Sequence, residues 1–206
     1  MTSVGSIDGR VLRGRRNRDA VVSSFLALIQ EGNPRPTARA IAARAGVSLR
    51  SVFQHFEEME QILAEAGRLQ VRRLSTFLEP LDRRPGFDQR LDDFVATRRA
   101  LLEAIDPVAR AARLREPFSP QLRKNRDWFV AAGRQQCEDL FAAEIGARRG
   151  RSRRQLLDAV AAASSWSTWY CLTEELGLDG DDAAAAMRLT LASLLRPPRR
   201  RRRSAA

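Results

Sequence analysis

The chain has 206 residues, a formal net charge of +11, 44% hydrophobic residues and 30% charged ones. That length supports one sizeable core, or a small domain joined to a larger one, and no apolar run approaches the roughly 18 residues that span a bilayer. The opening stretch MTSVGSIDGRVLRGRR lacks the apolar run of a secretory signal, and Cys137 and Cys171 each fall within an apolar-periodic helical pattern. A cytoplasmic protein with reduced, packed cysteines and no membrane partner is therefore expected.

The charge is unevenly placed. Arg196, Arg199, Arg200, Arg201, Arg202 and Arg203 carry no acid among them, and every cation except Lys124 is an arginine. Met1 to Phe56 hold nine arginines against Asp8, Asp19 and Glu31, while the centre of the chain is close to neutral. Basic charge gathered at both ends favours a polyanionic partner.

In chain order, nearly every segment reads as helix. Val21, Phe25, Leu28 and Ile29 share one helical face, and Gly32-Asn33-Pro34-Arg35-Pro36 stops that helix. Thr37 opens a short second helix that ends at Gly46, and Ser48 caps a third, LRSVFQHF. A fourth helix starts behind Glu57 and Glu58 and is expected to end near Pro80. Beyond Pro85-Gly86, a fifth runs from about Phe87 to Ile105, a short sixth follows Pro107, and a seventh spans about Pro120 to Ile145. An eighth covers roughly Arg151 to Leu176 and a ninth Asp181 to Leu195. No strand-like alternation survives, so the expected fold is all-α with about nine helices. Residues 1–57 form an N-terminal arm and a three-helix head with a helix-turn-helix. Residues 58–196 form a larger helical body, and 197–206 a basic, disordered tail. The tail adds nonspecific attraction to phosphates or is a solvated end.

The turn Ala45-Gly46-Val47-Ser48 joins two short helices. It fits either an ordinary helical corner or a DNA-reading element. In the second case Leu49, Arg50, Ser51 and Gln54 lie on the outer face near the start of the third helix, where side chains reach base edges in the major groove. Arg50 is suited to guanine and Gln54 to adenine. His55, the only histidine, has neither a second histidine nor a nearby cysteine for a metal or catalytic site. With two separated cysteines and no glycine-rich phosphate loop, no catalytic residue, metal or cofactor is expected, and the chain does not read as an enzyme.

The stretch TARAIAARAGVSLRSVFQHFEEMEQIL resembles the DNA-binding signature of the TetR family of transcriptional regulators. The matching positions are Thr37, Ile41, Ala42, Ala45, Gly46, Val47, Ser48, Phe53, His55, Phe56, Glu60 and Leu63. The resemblance implies a ligand-responsive regulator, most often a repressor, which binds a near-palindromic double-stranded operator as a homodimer. It implies DNA contacts from Thr37, Ser48, Leu49, Arg50, Ser51, Phe53, Gln54 and His55, with Ser48 and His55 turned to phosphates. Two positions depart from the family pattern. Phe53 stands where tyrosine is usual, and Met59 where lysine is usual, so two phosphate contacts are absent and an altered contact set is expected. The alternative is a TetR-like protein with weakened DNA binding that acts mainly in ligand sensing or interaction.

In the body, small Ala161, Ser164 and Thr168 with bulky Trp166 and Trp169 suit close helix approach, as do Met187, Leu191 and Leu194 on the ninth helix. These positions either complete the monomer core or form the dimer interface that the resemblance implies. An unidentified small-molecule effector is expected among Phe87, Phe94, Thr97, Leu101, Trp128, Phe129 and Gln136, where periodicity does not separate pocket lining from core.

Overall fold

The computed structural model describes residues 4–84, 86–113 and 115–196, so the basic tail 197–206 lies outside the described residues. Ten α-helices and no strand occur among the described residues. They are α1 (Val4–Gln30), α2 (Ala38–Ala45), α3 (Leu49–His55), α4 (Met59–Arg73), α5 (Phe87–Arg113), α6 (Pro120–Leu140), α7 (Ala142–Gly146), α8 (Gly150–Ala163), α9 (Trp166–Tyr170) and α10 (Gly180–Leu195). None of them is long and apolar enough to cross a membrane. The all-α expectation holds.

The helix boundaries differ from the sequence expectation at four places, each for a local reason. The fourth helix stops at Arg73, and the chain continues as a 3-10 turn, Ser75–Leu78, before Pro80. Helix α5 runs through Pro107 to Arg113. Proline removes one backbone donor from the helix interior, but Leu101, Leu102, Ile105 and Val108 are buried on either side of it, and Arg110 pairs with Asp106 at 2.6 Å. The expected seventh helix breaks at Phe141, whose φ of −105° and ψ of 31° leave the helical region. Its ring is buried and lies edge-on to Phe94 at 5.4 Å. The expected eighth helix divides at Ser164 and Ser165. Ser165 is extended and its hydroxyl accepts from the Thr168 N–H at 3.3 Å, which caps α9. A π-helical turn, Cys171–Glu175, follows.

The chain forms two compact units, and α5 and α6 each contribute to both. The first unit comprises residues up to Leu74 with Ala104–Trp128. Its core joins Val21, Phe25, Leu26 and Ile29 of α1 to Ile41 of α2, Val52 of α3, Phe56, and Ile62 and Leu63 of α4. Val108 and Leu122 complete it. Two amides fasten α4 to the later helices of this unit. Gln70 Nε2 donates to the Ala104 carbonyl at 2.8 Å, and Asn125 Nδ2 donates to the Ala64 carbonyl at 2.9 Å.

The second unit comprises Ser75–Glu103 and the chain from Phe129 onward. Here α10 packs on α8. It is also tied to α5 by Arg188 with Asp92, by Arg99 with Asp181, and by Arg196 with Asp88. Arg90 of α5 pairs with Glu144 of α7 with both side chains largely shielded from solvent.

Candidate nucleic-acid interface

Three local devices shape the head around α3. Thr37 caps α2, its hydroxyl accepting from the Ala40 N–H at 3.2 Å. At the far end of α2, Gly46 takes φ 66° and ψ 30°, a left-handed conformation that a residue with a Cβ resists. Two reversed hydrogen bonds close this exit: Gly46 N–H to Ala43 O at 3.4 Å and Val47 N–H to Ala42 O at 3.1 Å. Val47 is thereby delivered onto the head's core. Ser48 then caps α3, its hydroxyl accepting from the Ser51 N–H at 3.1 Å. Such a cap contributes about 1 kcal/mol.

The one-turn offset between Val52 and Phe56 puts both into the core, so α3 turns its opposite face outward. Leu49, Arg50, Phe53 and Gln54 are exposed on that face, and Ser51 is half-buried. Phe53 is 51% exposed, a large share for a phenyl ring. His55, the last residue of α3, is half-buried, and its ring lies against α1 at Gly14, where an added Cβ would stand 3.7 Å from His55 Cε1. Met59 is half-buried against the core of the head.

Sequence reasoning missed the residue that fixes the far end of α3. Arg18 of α1 donates from Nη1 to the His55 carbonyl at 2.7 Å, where a cation complements the helix C-terminus. The same guanidinium donates from Nε to Glu65 Oε2 at 3.2 Å, pairs through Nη2 with Glu65 Oε1, and lies over the Phe56 ring at 4.3 Å. A single side chain of α1 thus touches α3, the residue after it, and α4. The only sequence signal for it was an arginine on an otherwise apolar face of α1. The stretch expected as an N-terminal arm is helical from Val4, and its Arg13, Arg15 and Arg16 are exposed on α1. The side chain of Arg10 lies outside the described part.

The residues expected around an effector do not line one cleft. Phe94 and Leu101 are fully buried, Phe87, Thr97 and Phe129 are half-buried, and Trp128 is exposed. Only Gln136 borders a cleft, about 200 Å³ in volume, in the second unit. Its walls are Leu78, Pro80, Leu81, Arg83, Ala132, Gln135, Asp139 and Leu140. Helical periodicity marked the buried faces of α5 and α6, and the cleft opens instead beside the irregular segment that precedes α5.

The residues expected at a dimer interface fall into two groups. Ser164, Trp169, Met187 and Leu191 are buried within this single chain. Ser164 donates to the Val160 carbonyl at 2.9 Å. These four side chains are committed to the protomer's own core, because the inward face of α10 packs on α8. Ala161, Trp166, Thr168 and Leu194 remain half-buried, and Trp166 stacks obliquely on Tyr170 at 5.3 Å. Leu176 and Leu189 are large apolar side chains left outside, 64% and 69% exposed.

Two short helices joined by a reversed glycine turn, the second presenting Arg50 and Gln54 beside Leu49 and Phe53, define a helix-turn-helix protein. Residues 26–66 match the model of the bacterial regulatory proteins, tetR family. A TetR-family transcriptional regulator from Marinobacter aquaeolei VT8 shares the fold at a TM-score of 0.62 and 18% identity, over 86% of this chain and 88% of that one. A transcriptional regulator from Rhodococcus sp. Rha1 does so at 0.64 and 19%, over 88% and 95%. No curated protein matches the chain. The match to the tetR family thus covers the helix-turn-helix head, and the chain has an all-α fold of the same type as these regulators.

Proposed function

We propose that this chain is a sequence-specific repressor that binds a near-palindromic operator as a homodimer and releases it when a small molecule occupies the helical body. The observation that carries the reading is the outward face of α3, where Arg50 and Gln54 stand exposed on a helix capped at its start and held by Arg18 at its end. A groove-reading helix needs that combination of free side chains and fixed backbone. Thr37, Ser48 and His55 border the same helix and supply candidate phosphate contacts, though the hydroxyls of Thr37 and Ser48 also serve as caps. Ligand and operator compete through their preference for different states of the dimer, so the effector lowers DNA affinity only as far as it favours the non-binding state.

The test is a gel-shift with DNA flanking the protein's own coding region, at low salt and with excess nonspecific competitor. A discrete complex is expected; a smear equal to that on random DNA overturns the reading. The second reading, a TetR fold with weakened DNA binding, draws support from Met59, which packs on the core, and from Phe53, which offers no hydroxyl.

A dimer brings two copies of α3 to successive major grooves about 34 Å apart. Leu189, exposed on α10, is the side chain best placed to anchor it. Leu189→Asp is expected to shift the sedimenting species from dimer to monomer without lowering the melting temperature of the protomer. A variant that sediments as wild type removes α10 from the interface.

A further inference from the structure

The second unit buries a cation without a counter-ion. Arg98 of α5 is 3% exposed, and no carboxylate pairs with it among the described residues. Its Nη2 donates to Gln136 Oε1 at 2.7 Å, while its Nε is buried with no partner. The remaining surroundings are apolar or neutral. The guanidinium lies over the Phe94 ring at 4.8 Å, and it stands near the Cys137 thiol, which burial pushes up and so keeps protonated. Burial likewise pushes the Arg98 pKa down, yet a guanidinium does not give up its proton in a protein. An uncompensated charge in such a place destabilises a fold by several kcal/mol. An apolar side chain would fill the same space at no such cost.

The helix opposite is shaped to admit it. Gly133 sits in the middle of α6, and a Cβ there would stand 2.9 Å from Arg98 Nη1. Glycine inside a helix costs about 1 kcal/mol relative to alanine, so this position trades helix stability for room around the guanidinium.

The 200 Å³ cleft of this unit shares Gln136 with this cluster: the residue lines the cleft and accepts from Arg98. On one side the Gln136 carbonyl accepts from Arg98. On the other its Nε2 donates to the carbonyls of Phe77 and Glu79, at 2.9 and 3.0 Å, which fastens the segment over the cleft. Leu78, Leu81 and Leu140 give the cleft an apolar floor, and Arg83 pairs with Asp139 at its rim at 3.4 Å.

We propose that this cleft binds a small amphipathic monocarboxylate, whose carboxylate displaces the Gln136 amide and pairs with Arg98 while its apolar end lies on Leu78, Leu81 and Leu140. A carboxylate matches the planar guanidinium fork and reaches the idle Nε as well as Nη2. A single negative charge balances a single buried cation, whereas a phosphate brings −1.5 to −2 and leaves the excess buried. The volume lies below the roughly 300–1,000 Å³ of drug-sized pockets, which fits a single-ring or short-chain acid. Displacing Gln136 also releases the carbonyls of Phe77 and Glu79, on the segment that follows α4 directly in the chain. The inference rests on the effector-responsive reading above and gives its ligand a chemical class.

The test uses the full-length protein and calorimetric titration with benzoate and hexanoate, against benzamide and hexanamide as neutral analogues of the same shape. Saturable binding of at least one acid is expected, with its amide far weaker. Arg98→Met, which removes the unpaired charge and keeps the volume, is expected to stay folded and to lose affinity by roughly thirtyfold or more. If that variant fails to fold, Arg98→Lys serves instead: it keeps the charge without the fork, and an affinity unchanged from wild type overturns the proposal. The proposal also falls if neither acid binds at millimolar concentration, if the amides bind equally, or if Arg98→Met binds as wild type does. A ligand-free gel-shift read in parallel separates the two ideas: operator binding without acid binding sinks only the carboxylate site, and acid binding without a DNA complex sinks only the repressor reading.

Discussion

Replacing Arg50 and Gln54 together by alanine is expected to lower operator affinity by roughly two to four orders of magnitude, since each bidentate base contact discriminates by about 1–3 kcal/mol. Both side chains are exposed and neither supports the core, so the double variant should melt at the wild-type temperature. Salt dependence gives the sharper readout. A base reader removes specificity and leaves the slope of log affinity against log salt in place, while a lost phosphate contact lowers that slope by about one. A double variant that keeps its preference for operator over random DNA but shows a shallower salt slope would reassign both residues to the backbone. Exposed Leu49 and Phe53 on the same face would then be the remaining candidates for contacting bases, through thymine methyl groups.

Phe56→Ala is expected to destabilise the head by roughly 3–5 kcal/mol, the range for emptying a buried aromatic site. Phe56 is 1% exposed and follows α3 directly, with its N–H donating to the Val52 carbonyl at 2.9 Å. Its ring also carries the Arg18 guanidinium. The substitution therefore opens a cavity and removes the surface on which Arg18 rests. Against a total stability of about 5–15 kcal/mol for a domain, a loss of that size lowers the urea midpoint measurably and weakens DNA binding at 37 °C. A midpoint within error of wild type would mean that the ring is not part of the cooperative core.

What the sequence disclosed about this molecule was what neighbouring residues decide among themselves. Thr37, Gly46 and Ser48 act within three or four positions of where they stand, and so the helix-turn-helix and its outward face were legible. The all-α class was legible for the same reason, since the apolar spacing on α1, α4 and α5 is a local pattern. The break at Phe141 carried no glycine or proline to announce it, and an apolar residue there reads as one more turn of helix. Ser164-Ser165 did contain a cap signal, concealed by apolar residues on both sides. Arg18 and Arg98 were opaque for a different reason. An arginine in a helix reads as solvated, and the groups that determine otherwise are distant: Glu65 lies 47 residues from Arg18, and Gln136 lies 38 from Arg98. The candidate interface residues of α8 to α10 were ambiguous because apolar spacing reports burial without reporting against what. Met187 and Leu191 are buried in their own protomer, while Leu189, out of step with them, is exposed.

The position of Arg18 bears on how this head is cut and joined to other proteins. Seven residues make too short a helix to hold its shape alone, and the far end of α3 is secured in part through a side chain of α1 and a carboxylate of α4. A graft of residues 37–56 onto a foreign scaffold would carry the whole reading face and both caps, yet leave that end loose and Phe56 uncovered. A transplantable cassette has to reach at least from α1 through Glu65, because a chimera joined anywhere inside that span separates the outward face of α3 from Arg18 or from its carboxylate.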